Sequence, residues 1–240
     1  MTRLPALDAL RGILALVVVL DHEALLLGWR GLDVAAGIAV WGFFAMSAYV
    51  LTLAWDGRYG AFLLRRLVRL APVYLVAWGA GCLALGPGSP GAVDAPTWSL
   101  NVEALAMLGF PVIVWAGGDT RRAVAVCAAL LALTVTVDAW ALWGVWFVAG
   151  SAAARAPIRW PMVRNWALQS LGAVSYSLYL THWPVIQTLG PWGLLAVPPV
   201  AWAVWRWVEV PSIRWSRRIG YLTTGTYPAS GYHAPLNSRA

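Results

Sequence analysis

Asp21, His22 and Glu23 sit in the outer half of an apolar run, RGILALVVVLDHEALLL, whose remaining residues suit hydrocarbon. An imidazole bracketed by carboxylates is equipped for general-base work, because the acids can fix its tautomer and raise its basicity while it takes a proton from a hydroxyl. Each ionisable group at that depth costs about 2.5–3.5 kcal/mol on insertion scales, which makes the triplet a candidate site. Arg11 precedes His22 by eleven residues. On a helix that is about 16.5 Å of rise and only about 20° of rotation, so guanidinium and imidazole share a face. Both also have ordinary readings: Arg11 can snorkel to headgroups, and His22 can hydrogen-bond between helices.

Four further stretches carry candidate chemistry. In FLLRRLVRLAPVY, Arg65 and Arg69 are an i, i+4 pair and Arg66 and Arg69 an i, i+3 pair, so their guanidiniums project from one side of a helix start ahead of Pro72. Such a fork of donors suits phosphate, as in a nucleotide or coenzyme A, although charge that only sets topology reads the same way. In TWSLNVEALAMLGFP, Glu103 enters the apolar region behind Trp98, with Ser99 placed to cap the helix and the carboxylate placed to meet its dipole. In SYSLYLTHWPVI, His182 lies two residues before Pro184, in the outer part of an apolar run. Under one topology His22, Glu103 and His182 are expected at a similar external depth. In WGFFAMSAYVLT, Ser47 is flanked by small residues; it can serve helix packing, hydrogen-bond a ligand or act as a nucleophile.

The elements that must position these groups are transmembrane helices. Of 240 residues, 60% are hydrophobic and 11% charged, well below the quarter of charged residues usual in soluble domains. With roughly 20 apolar residues per crossing, eight spans are expected, at about 8–27, 32–54, 66–85, 99–116, 123–137, 139–154, 167–188 and 192–210. The fifth and sixth form a hairpin with Asp138 near its tip, which keeps Arg121 and Arg122 on the side of Arg155, Arg159 and Arg164. The fold class is therefore an all-α polytopic bundle. The positive-inside rule puts Arg3, the Arg58 to Arg69 cluster, Arg121 and Arg122, the Arg155 to Arg164 group and Arg214 to Arg218 in the cytoplasm, with both termini inside and Arg30 outside. The loop GPGSPGAVDAPT is expected outside. Residues 1–218 read as one transmembrane domain and residues 219–240 as a polar, disordered tail.

All 17 basic residues are arginine, consistent with a GC-rich, bacterial genome, and the net charge is +7. The arginines lie in short clusters between apolar spans, which points to orientation in a bilayer and away from a nucleic-acid partner. Cys82 and Cys127 are single and lack a CxxC spacing, so no disulfide framework and no metal site is expected. The first apolar run leads into Asp-His-Glu instead of a small-residue cleavage site and reads as an uncleaved span.

Taken in order, these stretches resemble the membrane acyltransferase-3 family, bacterial membrane O-acyltransferases. The resemblance rests on LDALRGILALVVVLDH with its Arg, ten residues, His spacing; on FFAMSAYVL, RRLVRLAPVYL and WSLNVE; on LGAVSYSLYLTHWPV; and on the weaker echo VEVPSIRW. It implies an all-helical fold and transfer of an acyl group from acyl-coenzyme A, a co-substrate and not a bound cofactor, to a hydroxyl of a sugar, glycoside or lipid. It implies Arg11, Arg66 and Arg69, with Arg65 beside them, in the donor path. It makes His22 the catalytic base, with Ser47, Trp98, Glu103 and His182 in the site. Asp21, Glu23 or Glu103 would orient the imidazole, and Ser47 or His182 would supply an oxyanion donor. The chain is a shortened member, most visibly between Pro72 and Trp98; Ala48 replaces the glycine usual after the serine, and ALAM follows Glu103.

Two other classes fit the same residues. The frame can serve a non-catalytic assembly partner or a proton-coupled membrane carrier. It can also do acid–base chemistry on a lipidic substrate with no acyl donor.

Overall fold

The computed structural model describes residues 4–86, 90–137, 141–156, 158, 161, 163 and 165–224, with only the backbone of 90–96, 191, 223 and 224. Arg3, Asp138, Arg159 and Arg164 lie outside the described residues, as does the expected tail from 225 onward.

Among the described residues the regular structure is all helical: α1 (Pro5–Leu26), α2 (Asp33–Leu53), α3 (Tyr59–Leu85), α4 (Pro90–Leu108), α5 (Phe110–Ala116), α6 (Thr120–Thr136), α7 (Ala141–Ala153), α8 (Trp166–Leu189), α9 (Gly193–Val204) and α10 (Val210–Thr224). Local signals set their starts. Pro5 opens α1, where its missing N–H is no loss. The Asp119 side chain accepts the Arg122 N–H ahead of α6, and Asn165 accepts those of Ala167 and Leu168 ahead of α8. Gly28, at φ 78°, supplies the left-handed turn between α1 and α2.

Each expected span has a helical counterpart, with four corrections. The Gly/Pro-rich stretch before Trp98 is helix from Pro90, so Ser99 lies inside α4 and caps nothing. The expected fourth span is bent by 73° between Thr97–Leu108 and Phe110–Ala116, because Pro111 has no N–H for the ladder and Gly109 tolerates the break. The third helix begins at Tyr59, two turns before the arginines. The last helix runs on from α9 through a π-helical turn, Trp205–Glu209, into α10, so the expected boundary at 218 falls inside a helix.

Among the described residues two helices, α2 and α3, are long and apolar enough to cross a membrane, and a third if the bent pair counts as one span. The first helix, at 22 residues, is long enough but carries Asp8, Arg11, Asp21 and Glu23. Large apolar side chains face outward, among them Leu83 at 91% exposure and Val135 at 87%, the surface of a protein solvated by lipid.

Helices α1 and α8 run parallel and in register. A Cβ on Gly12 would stand 2.7 Å from the Gly172 backbone nitrogen, and one on Gly172 would collide with the Asp8 carbonyl. Small residues there let two backbones touch. Ten residues, or about 15 Å of rise, further along both helices, the same register brings His22 to His182. A core of Val18, Ala39, Val40, Phe44, Val73, Phe147 and Leu180 ties α1, α2, α3, α7 and α8 together.

Candidate active site

The candidate residues gather at two levels. At one, His22 Nδ1 lies 2.7 Å from His182 Nε2, with the two ring planes within 9° of parallel. His182 is fully buried, and its Nδ1 stands 3.2 Å from the Leu178 carbonyl oxygen. A carbonyl only accepts, so that nitrogen carries a proton. In a neutral ring His182 Nε2 then accepts, His22 Nδ1–H donates to it, and His22 Nε2 keeps its lone pair; the assignment follows from the heavy-atom geometry. The Trp183 ring packs edge-on against His22 with centroids 5.0 Å apart.

Asp21 and Glu23 are buried, yet among the described residues neither hydrogen-bonds an imidazole, and Glu23 Oε2 meets no donor. On a helix, neighbours of His22 point about 100° to either side of it, which is why sequence adjacency did not become contact.

The second level lies toward the other end of the bundle. Glu103 Oε1 accepts from Ser47 Oγ at 2.8 Å and from the Arg66 guanidinium at 2.5 Å, while Arg66 Nε reaches Met107 Sδ at 3.2 Å. Arg11 pairs with Asp8 at 3.8 Å. The expected shared depth of Glu103 with the histidines is thus corrected. Ser47 lies about 21 Å of helix rise from the α2 start, whereas His22 is about 6 Å from the α1 end, a separation near 15 Å. Because α4 starts at Pro90, Glu103 sits thirteen residues into its helix instead of at the mouth.

A cavity of about 350 Å³ opens at this level. Arg11, Arg66, Arg69, Ser47 and Glu103 line it, together with Ser99, expected only as a cap, and with Asp8, Tyr176, Tyr179 and Glu209, which no local pattern in the sequence marks. Three arginines face three acids. Arg65 lies elsewhere, its guanidinium 3.4 Å from Asp56 near the start of α3. Trp98 stands outside the lining as well, in an aromatic cluster with Phe44 and Trp143, whose ring centroids are 6.4 and 5.0 Å from its own. Neither histidine lines the cavity.

Glu209 is 4% exposed, ends the π-helical turn and accepts from Ser177 Oγ at 2.6 Å. A π turn inside an otherwise continuous helix often marks function, and here it aims a carboxylate at the cavity. Only the VEVPSIRW echo pointed to it. Tyr179 joins the two levels: it lines the cavity, its hydroxyl bonds Ser99 Oγ at 2.8 Å, and its ring centroid is 5.9 Å from that of His182. Among the described residues no group of three or more His, Cys, Asp or Glu could hold a metal ion.

Residues 4–146 match the model of the acyltransferase-3 family, described as an acyltransferase domain. The chain belongs to the acyltransferase-3 family. The match takes in Arg11, His22, Ser47, the α3 arginines and Glu103, and ends before His182 and Glu209. Neither a curated protein nor a solved structure matches the chain. The family and the apolar helices together make this a membrane protein of acyltransferase type.

Proposed function

We propose that this protein is a membrane O-acyltransferase that moves an acyl group from an acyl-coenzyme A-type donor to a hydroxyl of a glycan, glycosylated metabolite or lipid, with His22 as general base. The observation that carries the reading is the His22–His182 hydrogen bond, which leaves a basic nitrogen on the family's histidine. The acceptor hydroxyl gives its proton to His22 Nε2 as its oxygen attacks the thioester carbonyl carbon. The tetrahedral adduct then collapses, the carbon–sulfur bond breaks, and the thiolate takes the proton from the imidazolium. The products are the acyl ester and the free thiol. His182 holds the base through its Nε2, the part expected of Asp21, Glu23 or Glu103. Within this reading Arg11, Arg66 and Arg69 line the donor's route, and Ser47 and Glu103 order it.

The same reading places eight helical spans in a bacterial cytoplasmic membrane, both termini and the arginine level at the cytoplasmic face and the histidine level near the external one. The arginine clusters support that orientation. The test is mass spectrometry of glycans, lipids and small metabolites from cells with and without the gene. An acyl mass lost on deletion and restored by the wild-type gene but not by His22→Ala supports the reading. Restoration by His22→Ala sinks it.

One observation favours a second reading: the cavity stops short of both histidines. A proton-coupled carrier would use the paired imidazoles as a relay, respond to a pH gradient and need no thioester.

A further inference from the structure

The cavity is a poor home for several phosphates. Arg66 is ion-paired to Glu103 at 2.5 Å, Arg11 to Asp8 at 3.8 Å, and Glu209 stands within Coulombic reach of Arg69 and Arg11. Two of the three guanidiniums are already paired to carboxylates, which leaves little positive charge free for several phosphates. At about 350 Å³ the space is near the lower limit for small-molecule sites, enough for an uncharged arm and not for a whole nucleotide conjugate.

A different cationic surface lies beyond it. Helix α10 continues the helix that carries Glu209 and presents Arg214, Arg217 and Arg218 within two turns. The Ser216 hydroxyl donates to the Arg65 carbonyl at 2.8 Å, docking α10 on the arginine-rich first turns of α3. Arg214 and Arg218 are exposed, and the Arg218 guanidinium stacks 5.7 Å from the Trp215 ring. Arg217 is half-buried, and its buried Nη2 has no hydrogen-bond partner among the described residues. Burial draws that guanidinium below the ordinary arginine value, yet an arginine stays charged at any working pH. A phosphoryl oxygen is the acceptor that a guanidinium fork recognises best, and the part of the half-buried Arg217 that reaches the surface beside exposed Arg214 and Arg218 is placed to meet one.

We propose that Arg217, flanked by Arg214 and Arg218, forms a phosphoryl-binding site on α10, separate from the cavity. Two sources present that chemistry: the nucleotide phosphates of a coenzyme A donor, which rests on the acyltransferase reading, and the headgroup of an anionic phospholipid, which does not.

The full chain in detergent or in nanodiscs allows both to be read without knowing the acceptor. Affinities for coenzyme A and for pantetheine are compared in wild type, Arg217→Gln and Arg217→Lys, and native mass spectrometry counts retained phosphatidylglycerol against phosphatidylcholine. If the site takes the donor, Arg217→Gln weakens coenzyme A about tenfold, leaves pantetheine unchanged, and Arg217→Lys recovers part of the loss. If it takes lipid, coenzyme A binding is unmoved while Arg217→Gln loses its excess of phosphatidylglycerol. A folded Arg217→Gln chain with unchanged coenzyme A affinity and unchanged lipid retention overturns the site. Failure of wild type to bind coenzyme A, with the lipid preference still dependent on Arg217, sinks the acyltransferase reading and keeps the site.

Discussion

His22 donates to His182 across 2.7 Å, and His182 donates in turn to the Leu178 carbonyl. The two rings form a directed chain that ends in a backbone oxygen, so the free lone pair is forced to the far nitrogen of His22. An orienting carboxylate would also stabilise the imidazolium; an orienting imidazole fixes the tautomer without adding negative charge to a buried site. The pair is held by two parallel helices in contact at Gly12 and Gly172, and its geometry is inherited from that register.

Replacing His182 separates orientation from bulk. The amide oxygen of His182→Gln reaches the position of Nε2 and can still accept from His22, whereas the shorter amide of His182→Asn reaches only the position of Nδ1. Acyl transfer by the Asn and Ala variants is expected to fall by about tenfold or more, with the Gln variant retaining most of it. A pH–rate profile adds a second readout. Transfer falls as pH drops and the base charges, and loss of the partner moves that limb. Equal loss in all three variants, with the limb in place, would mean that His182 only fills space.

Glu103 is expected to govern donor binding more than the chemical step, because it touches Arg66 and Ser47 and lies about 15 Å of helix rise from the imidazoles. Glu103→Gln should raise KM for the donor and lower kcat less. In a double-mutant cycle with Arg66→Gln the effects should be non-additive by about 0.5–3 kcal/mol in kcat/KM. A collapse of kcat at constant KM would return Glu103 to the catalytic base.

Much of this arrangement was legible in the sequence, and the reasons differ by residue. Arg11 and His22 share one helix, so the 3.6-residue period alone puts them on a common face. The α3 arginines and the apolar spans are equally local. What escaped depends on tertiary register or on where a helix begins. The His22–His182 bond joins residues 160 apart. Glu103 was misplaced in depth because glycines and prolines before Trp98 read as a loop, although proline is favoured at a first helical turn, as at Pro90. The π turn that turns Glu209 inward has no local signature, and the neighbours of His22 are adjacent to it in sequence while their helix directions separate them in space.

The register itself can be tested at glycine. Gly172→Ala puts a methyl group on the Asp8 carbonyl, backbone against backbone, where nothing flexible can yield. Separation of α1 from α8 should cost about 1–3 kcal/mol and lengthen the imidazole contact, so thermal stability and transfer fall together. Gly79→Ala, with nothing within 4 Å of the added carbon, should leave transfer unchanged and be neutral or slightly stabilising. Thermal melting in detergent compares the two. If Gly172→Ala melts and works like wild type, the close contact does not set the site.

Tyr179 stands between the cavity and the imidazole pair. Its ring meets Phe43 edge-on at 5.6 Å and His182 at 5.9 Å, and its hydroxyl is tied to Ser99. On the proposed acyl transfer, a donor arm rising through the cavity would have to move this ring to bring a thioester to His22, and the ring at rest would keep water from the same path. Tyr179→Ala should therefore raise hydrolysis of acyl-coenzyme A in the absence of acceptor by several fold and lower transfer. Tyr179→Phe, which loses only the tie to Ser99, should keep hydrolysis within about twofold of wild type, since the aromatic barrier is intact. Thiol release and acyl-ester formation, followed side by side in nanodiscs, give the two rates. Unchanged thiol release in Tyr179→Ala would show that the barrier lies elsewhere and that the donor reaches His22 by another route.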